Sequence, residues 1–461
     1  MARRGEGKRV LIIVQNLPVP LDRRVWLQCQ ALVTDGVAVS VICPKGEGDP
    51  PFAEIDGVRI YKYAPPPEAK GALGFLLEFV YCWIATALLS VKVWRRDGFS
   101  IIQACTPPDT YFALARVYRL FGKRFVYDQH DLNPELYLSR FGAPRGPVAR
   151  LQLGLLRRLE LATYATADHV ISTNESYRET AIGRGRLTPE TVTVVRSGPN
   201  TSVMRPVLPR PELREGRDFL AVYLGIMGPQ DGVDLVIRAL DVIVKQMGRT
   251  DCHVALLGFG DCLDQLRDLV LDLGLEDHVT FTGRADRKMI SEYLSTADVG
   301  LCPDPLSPLN DVSTMNKTME YMAYALPMVS FDLRETRVSA GDAAVYVEPN
   351  DVTLFAKSLV SLFDDPERRA SMALTARQRV AAHLDWQPQA DRYLGVYRAL
   401  LGRPVETESA IGWPEIDRRQ TSLAELRDEW GQVLIDLRGS EGLVTYVRDR
   451  SALRGSSAST E

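Results

Sequence analysis

One pattern constrains this chain more than any other, and it occurs twice: short β-branched runs alternate with longer amphipathic ones on either side of a proline-rich break. In the first half, strand candidates fall at residues 9–14, 37–43, 101–104, 124–128, 169–172 and 191–195, with helix candidates at 23–34, 109–121 and 148–166. Runs that are apolar throughout belong to parallel sheets buried on both faces by helices, which predicts a doubly wound lobe. Residues 197–218 then lose periodicity and carry Gly198, Pro199, Pro206, Pro209 and Pro211, which reads as an interdomain connector. Afterwards the alternation resumes, with strands at 219–224, 254–257, 279–281, 299–302, 328–331 and 345–347 and helices at 233–244, 263–273, 288–295 and 314–324. The fold class is therefore α/β, two doubly wound Rossmann-like lobes facing across a cleft, plus a C-terminal extension. The expected division is 1–197, a connector at 198–218, 219–385, a final helix at 386–402 returning to the first lobe, and an extension at 403–461. Within that extension 422–437 is amphipathic and 451–461 reads as disordered.

Length supports this, since 461 residues with 46% hydrophobic content supply more than one core. Residues 1–200 hold 26 Lys and Arg against 19 Asp and Glu, and the remainder holds 29 against 40. A basic first half suits an anionic membrane face or a phospholipid-linked substrate, while the acidic second half argues against nucleic acid. Seven cysteines without paired metal-ligand spacing read as reduced, buried thiols. The basic start runs straight into the strand at 10–14, too short for a signal segment, so a cytoplasmic location is expected, extending to the inner membrane face. Residues 71–91 approach the length that spans a bilayer. Because they lie between two strand-like segments of one lobe, a buried crossover helix is expected, with Phe75, Phe79, Tyr81 and Trp83 available to a membrane surface.

In open sheets ligands bind beyond the carboxyl ends of the strands, so the loops after strands are where chemistry is sought. Residues 307–322 read SPLNDVSTMNKTMEYM, polar residues leading into a helix. Ser313 is the expected N-cap, near Thr314 and with Asn316 three residues on; a helix start offers unpaired amides and a positive dipole end, and Lys317 adds a charge, an arrangement suited to a diphosphate. Glu320, one turn on, can accept from two ribose hydroxyls. The competing reading is an exposed Lys317–Glu320 helix pair of structural importance only. In the first half, YDQHDLNPE follows a strand and places His130, Asp131 and Glu135 at the cleft mouth. Gly258-Phe259-Gly260 imitates a dinucleotide fingerprint but lacks its third glycine.

The run NKTMEYMAYALPMVSFD resembles the donor-binding segment of glycosyltransferase family 4 in a variant with Lys three before Glu. The resemblance covers roughly residues 9–402 and implies a GT-B fold and a retaining transferase, moving a hexosyl or N-acetylhexosaminyl group from a UDP- or GDP-linked donor. Lobe 1–197 would take the acceptor and lobe 219–385 the donor. Glu320 matches the ribose-binding glutamate. The glutamate usually found eight positions earlier is Val312, so Asp311 or Asn310 would substitute. VYLGIMGPQDGVD resembles the first strand and loop of the donor lobe, where Ile226 and Asp231 stand in place of an arginine and a lysine, leaving Lys317 and amides near Gly225 and Gly228 to bind the diphosphate. Gly258, Gly283 and Arg284 would line the donor side. His130 would sit near the reacting sugar, with Asp22, Arg23, Asp109, Asp131 and Glu135 on the acceptor side.

That resemblance further implies no metal and no cofactor, a front-face mechanism, and a glycan or polyprenyl-diphosphate-linked acceptor in cell-surface polysaccharide assembly. Two other readings stay open: a sugar-nucleotide 2-epimerase, and a non-catalytic sugar-nucleotide-binding module. Substituting Lys317 or Glu320 is expected to leave stability nearly unchanged.

Overall fold

The computed structural model describes residues 9–66, 71–403, 427–437 and 440–453. The chain forms two units, Met1–Ser197 with Gln387–Gly412, and Gly198–Trp386 with Trp413–Glu461.

The first unit runs β1 (Arg9–Ile13), α1 (Arg23–Thr34), β2 (Ala38–Pro44), β3 (Phe52–Ile55), β4 (Val58–Tyr63), α2 (Gly71–Arg96), β5 (Ile101–Cys105), α3 (Phe112–Arg119), β6 (Arg124–Gln129), α4 (Asn133–Phe141), α5 (Pro147–Thr166), β7 (His169–Ser172), α6 (Glu175–Gly185) and β8 (Val192–Val194). Its sheet has the order β3-β4-β2-β1-β5-β6-β7-β8, and every pairing is parallel except β3 with β4. That hairpin, absent from the sequence reading, turns on Asp56 and Gly57, both at positive φ, the backbone that a tight two-residue hairpin requires. Chain order reverses between β1 and β5, which makes the carboxyl ends of those strands the natural binding point.

Helix α2 corrects an expectation. It is the crossover between β4 and β5, and Cys82, Thr86, Ser90 and Val93 face the interior, where Thr86 and Ser90 meet the hydroxyls of Tyr111 and Tyr118 at 3.3 and 3.0 Å. It is not buried, however. Leu77, Val80, Tyr81, Ile84, Leu88 and Val91 form an exposed stripe at helical spacing, with Leu88 at 69% exposure. The segment Leu77–Arg96 is long and apolar enough to cross a membrane by length and composition. Phe75 lies outside the residues whose side chains are described.

The second unit runs β9 (Phe219–Leu224), α7 (Val233–Asp241), β10 (Cys252–Leu257), α8 (Leu263–Asp272), β11 (Val279–Gly283), α9 (Arg287–Thr296), β12 (Val299–Cys302), α10 (Asn316–Ala323), β13 (Met328–Phe331), α11 (Arg334–Ala340), β14 (Ala344–Val347), α12 (Val352–Asp364) and α13 (Pro366–Arg379). All six strands are parallel in the order β11-β10-β9-β12-β13-β14, with the reversal between β9 and β12. Helix α14 (Trp386–Leu400) joins the first unit, where Tyr393 and Tyr397 both donate to Gln103 and Arg398 pairs with Asp35. Helix α15 (Ser440–Ala452) belongs to the second unit, so Ser451 and Ala452, expected to be disordered, end a helix; residues 422–426 and 454–461 of the expected tail features lie outside the described residues.

Residues 198–218 are not a loose connector, because they are docked onto the second unit. The amides of Val207 and Arg210 donate to the hydroxyls of Ser295 and Thr296 at 3.0 and 2.9 Å. Arg214, fully buried, holds both oxygens of Asp298 at 2.7 and 3.2 Å and the carbonyl of Thr296 at 3.0 Å. Prolines narrow the backbone choices of this stretch, Arg214 closes the 3-10 turn Pro211–Arg214, and the buried ion pair fixes where it lies. Arg214→Ala leaves the buried Asp298 carboxylate with the Leu220 amide at 2.9 Å and a more distant Arg369 at 4.0 Å, and urea denaturation should show a loss of about 3 kcal/mol; a loss below about 1 kcal/mol would mean that the segment is not anchored there.

Candidate functional site

Two polar clusters stand at the two reversal points. In the second unit, Lys317 occupies the first turn of α10, and its Nζ lies 2.6 Å from Asp304 Oδ1 and 5.0 Å from the ring centre of Tyr223. Lys317 and Glu320 are 7% and 8% exposed, so an exposed helix pair is ruled out, and Lys317 pairs with Asp304, which the sequence reading missed. Burial opposes the ammonium charge, but Asp304, with Tyr223 and Asp231 nearby, holds its pKa well above the usual lysine value. The other Asp304 oxygen, Oδ2, is buried without a hydrogen-bond partner.

The approach to α10 differs from expectation. The helix starts at Asn316 after an extended Met315, and Ser313 does not cap it; the Ser313 hydroxyl donates back to the Leu309 carbonyl at 2.7 Å, closing the short turn Asn310–Val312. Thr314 is half-buried just before the helix, and Asn316 is exposed. The residues expected to replace the missing glutamate already have partners. Asp311 Oδ1 accepts from the Arg334 amide at the start of α11 (2.9 Å), and Asn310 donates to the carbonyls of Gln230 and Pro305 at 2.9 and 2.8 Å.

The glycine amides are also engaged. The amide of Gly225 donates to Leu257, that of Gly228 to Asp231 Oδ2, and that of Gly258 to Gly283, each at 3.0 Å. A Cβ on Gly258 would lie 1.7 Å from the Gly225 carbonyl oxygen, so these glycines let neighbouring loops touch, and a diphosphate reading of the Gly225 and Gly228 amides is not supported. Arg284 stacks over Phe259 at 4.6 Å.

In the first unit the centre is Asp128 at the end of β6, fully buried. It accepts from Arg24 (2.8 Å), Gln28 (2.6 Å) and Gln103 (3.0 Å). Burial opposes its charge, yet Arg24 and His130 hold its carboxyl below the ordinary aspartate range. His130 Nε2 lies 2.9 Å from Asp128 Oδ2 and 3.1 Å from Arg24 Nε; a protonated Nε2 donates to the carboxylate, a bare one accepts from the guanidinium. Arg24 and Gln28, like Asp128, were not among the expected site residues. Asp22 instead caps α1 through the Val25 amide (3.0 Å), while Arg23 is half-buried on its first turn.

The other expected acceptor residues divide. Asp131 adjoins the cluster, its amide and that of His130 donating to the Thr106 hydroxyl at 3.3 and 2.9 Å. Asp109 accepts from Tyr127 and Asn133, each at 2.6 Å, and burial raises its pKa to about 6 despite those bonds. Glu135 is corrected to a structural role, since it is buried and paired with Arg184, which also holds Glu160. Cys105, Asp128 and His130 bring potential metal-ligand atoms within 4.8 Å of one another, but the Asp128 oxygens already accept from a guanidinium and two amides, which fits a polar anchor better than a cation site.

Two parallel sheets, each with a buried ion-paired cluster at its reversal point, define a protein of the GT-B fold class. Residues 21–203 match the model of Glycosyltransferase Family 4, and residues 218–365 match that of Glycosyl transferases group 1. Over these two stretches the chain is similar to glycosyltransferase family 4 and to the group 1 glycosyl transferases. It is 29% identical over 197 residues to the alpha-D-kanosaminyltransferase of Streptomyces kanamyceticus, covering 41% of this chain and 49% of that protein. The chain spans about half the length of several curated relatives that it matches. Sucrose-phosphate synthase from Thermosynechococcus elongatus superposes with TM-score 0.69 at 18% identity (86% of this chain, 99% of that one). HepE of Anabaena in complex with UDP-glucose gives 0.62 at 16% (85% and 99%); both are likenesses of fold.

The expectation that Lys317 can be removed without structural cost does not survive its pairing. Lys317→Ala should destabilise by about 3–5 kcal/mol, partly recovered by adding Asp304→Asn, and chemical denaturation of both variants checks this. For Asp109, the folded pKa of about 6 exceeds the ordinary value of 3.8, so between those pH values the folded chain keeps a proton that the unfolded chain has lost, and stability falls as pH rises. Asp109→Asn removes that dependence. Between pH 4 and pH 7 the stability difference should move in favour of the variant by roughly 2 kcal/mol, and a constant difference would contradict the assignment.

Proposed function

We propose that the chain is a retaining glycosyltransferase that moves a sugar from a nucleoside-diphosphate donor to a glycan or lipid-linked acceptor in cell-surface polysaccharide assembly. The observation that carries this is the burial of Lys317 and Glu320 on successive turns of α10, beside the carboxyl ends of β9 and β12. As the glycosidic bond to the diphosphate breaks, negative charge grows on the departing oxygens. Lys317, fixed in advance by Asp304, and the amides that open α10 stabilise that charge at little reorganisation cost. Glu320 accepts from the ribose, and the Phe259–Arg284 stack offers a face for the base. In the first unit, His130, held by Asp128 and Arg24, offers a polar contact for a sugar hydroxyl. The acceptor hydroxyl attacks from the side that the diphosphate leaves and passes its proton to it, so no bound cation or cofactor is required. The UDP-glucose complex of HepE and the sugar-transferring names of the relatives support this donor class.

The exposed apolar stripe on α2, with Lys92, Arg95 and Arg96 exposed near its end, supports peripheral docking on the anionic inner face of a membrane, where a lipid-linked acceptor would be met.

A panel of UDP- and GDP-sugars should raise the melting temperature for at least one donor, and Glu320→Gln should cut turnover with that donor by about tenfold or more. Unchanged turnover would overturn the role of Glu320. Flotation with anionic liposomes should recover the protein, and Ile84→Asp with Leu88→Asp should reduce recovery by about tenfold; equal recovery of the variant would place membrane contact elsewhere.

A further inference from the structure

The C-terminal end of α10 is built in an uncommon way. The Leu326 amide donates to the Tyr321 carbonyl (2.9 Å) and the Ala325 amide to that of Met322 (3.1 Å), a terminating turn that places residue 325 in the left-handed region, at φ 52. Glycine normally occupies that position because a Cβ is strained there. Here it is alanine. Its methyl is fully buried in a small core with Ala373, Tyr446 and Val447, the last two from α15. The carbonyls left over at the helix end are met by two arginines. Arg377 of α13 donates to Ala323 at 2.6 Å, and Arg450 of α15 donates to Tyr324 at 3.1 Å and to Ala325. Arg450 is 2% exposed, and its guanidinium also bonds the Tyr446 hydroxyl, which donates to the Ser295 carbonyl at 2.9 Å. Neither family match reaches α15.

We propose that α15 is a clamp for the donor helix, with Arg450 as a positioning residue that holds the end of α10 so that Lys317 and Glu320 keep their places. This rests on the reading of α10 as the donor site. Helix α10 is only eight residues long, from Asn316 to Ala323, so a shift at one end of so short a helix is felt at the other. The left-handed alanine is tolerated because α15 supplies both the pocket for its methyl and the donors for its carbonyls. Remove Arg450, and the turn at residue 325 loses its partners while keeping its strain.

The test compares the full chain with Arg450→Met, which keeps the stem but removes the donors, and with Arg450→Lys in case the first variant fails to fold. Amide hydrogen exchange at residues 321–326 should accelerate by about tenfold or more in the variants relative to the core strands of the same unit. UDP or GDP, whichever the wild type binds, should bind the variants about tenfold more weakly. Adding Ala325→Gly to Arg450→Met relieves the strained backbone and should restore affinity to within about threefold of wild type. A variant with lower melting temperature but unchanged nucleotide affinity, or one that Ala325→Gly fails to rescue, would overturn the clamp. A wild-type chain that binds neither nucleotide would overturn the donor reading instead, and unchanged exchange at 321–326 would still count against the clamp on its own.

Discussion

The ammonium of Lys317 is held out of water by Asp304, and that buried ion pair sets the terms for everything around it. The carboxylate comes from the loop after β12 and the lysine from the first turn of α10, so the pair ties the reversal point of the sheet to the helix that follows. A buried lysine without a partner would lose its charge. With Asp304 beside it, the positive charge persists and is fixed in place. The same pairing cancels the formal charge that Lys317 would offer an anion, and Asp231, at a position where the resemblance to family 4 leads one to expect a lysine, adds a negative charge nearby. Under the proposed function, a diphosphate here would be recognised more by helix amides and one fixed ammonium than by a fork of cationic side chains.

The first unit repeats the device with the signs exchanged. Asp128 is the buried charge, and Arg24 the cation that keeps it ionised, with Gln28 and Gln103 completing its bonds. Tyr393 and Tyr397 of α14 reach Gln103 from the far end of the sequence, so the last helix of the core supports a residue next to the cluster. In each unit a charge that burial disfavours is held by one opposite partner at the carboxyl end of a parallel sheet, which is where such sheets leave room for a ligand.

Much of the fold was legible because parallel strands are apolar throughout and announce themselves: β7, β9, β12 and β13 lie where their runs predict. The missed elements are those whose signal is polar or short. The β3–β4 hairpin carries an Asp-Gly turn, α4 has a proline, Pro134, as its second residue, and α6 is capped by Asn174 but has little apolar bias. Among site residues, Lys317, Glu320 and His130 stood out in recognisable segments, whereas Arg24 and Gln28 were hidden in plain periodicity. They share a stripe with Ala31 and Leu32 on α1, and a polar residue on a buried stripe is itself a signal. Asp304 had no such mark, since only the return of α10 past β12 brings it to Lys317. Ser313 fails as the N-cap because an N-cap is a backbone geometry, and Thr314 and an extended Met315 intervene before the helix.

The most direct measurement is a crystal structure of the full chain grown with the nucleoside diphosphate that stabilises it best. The account predicts phosphate oxygens at the amino end of α10 within reach of Lys317 Nζ, and a ribose whose hydroxyls donate to Glu320. A nucleotide bound away from α10, or a ribose that leaves Glu320 untouched, would contradict it.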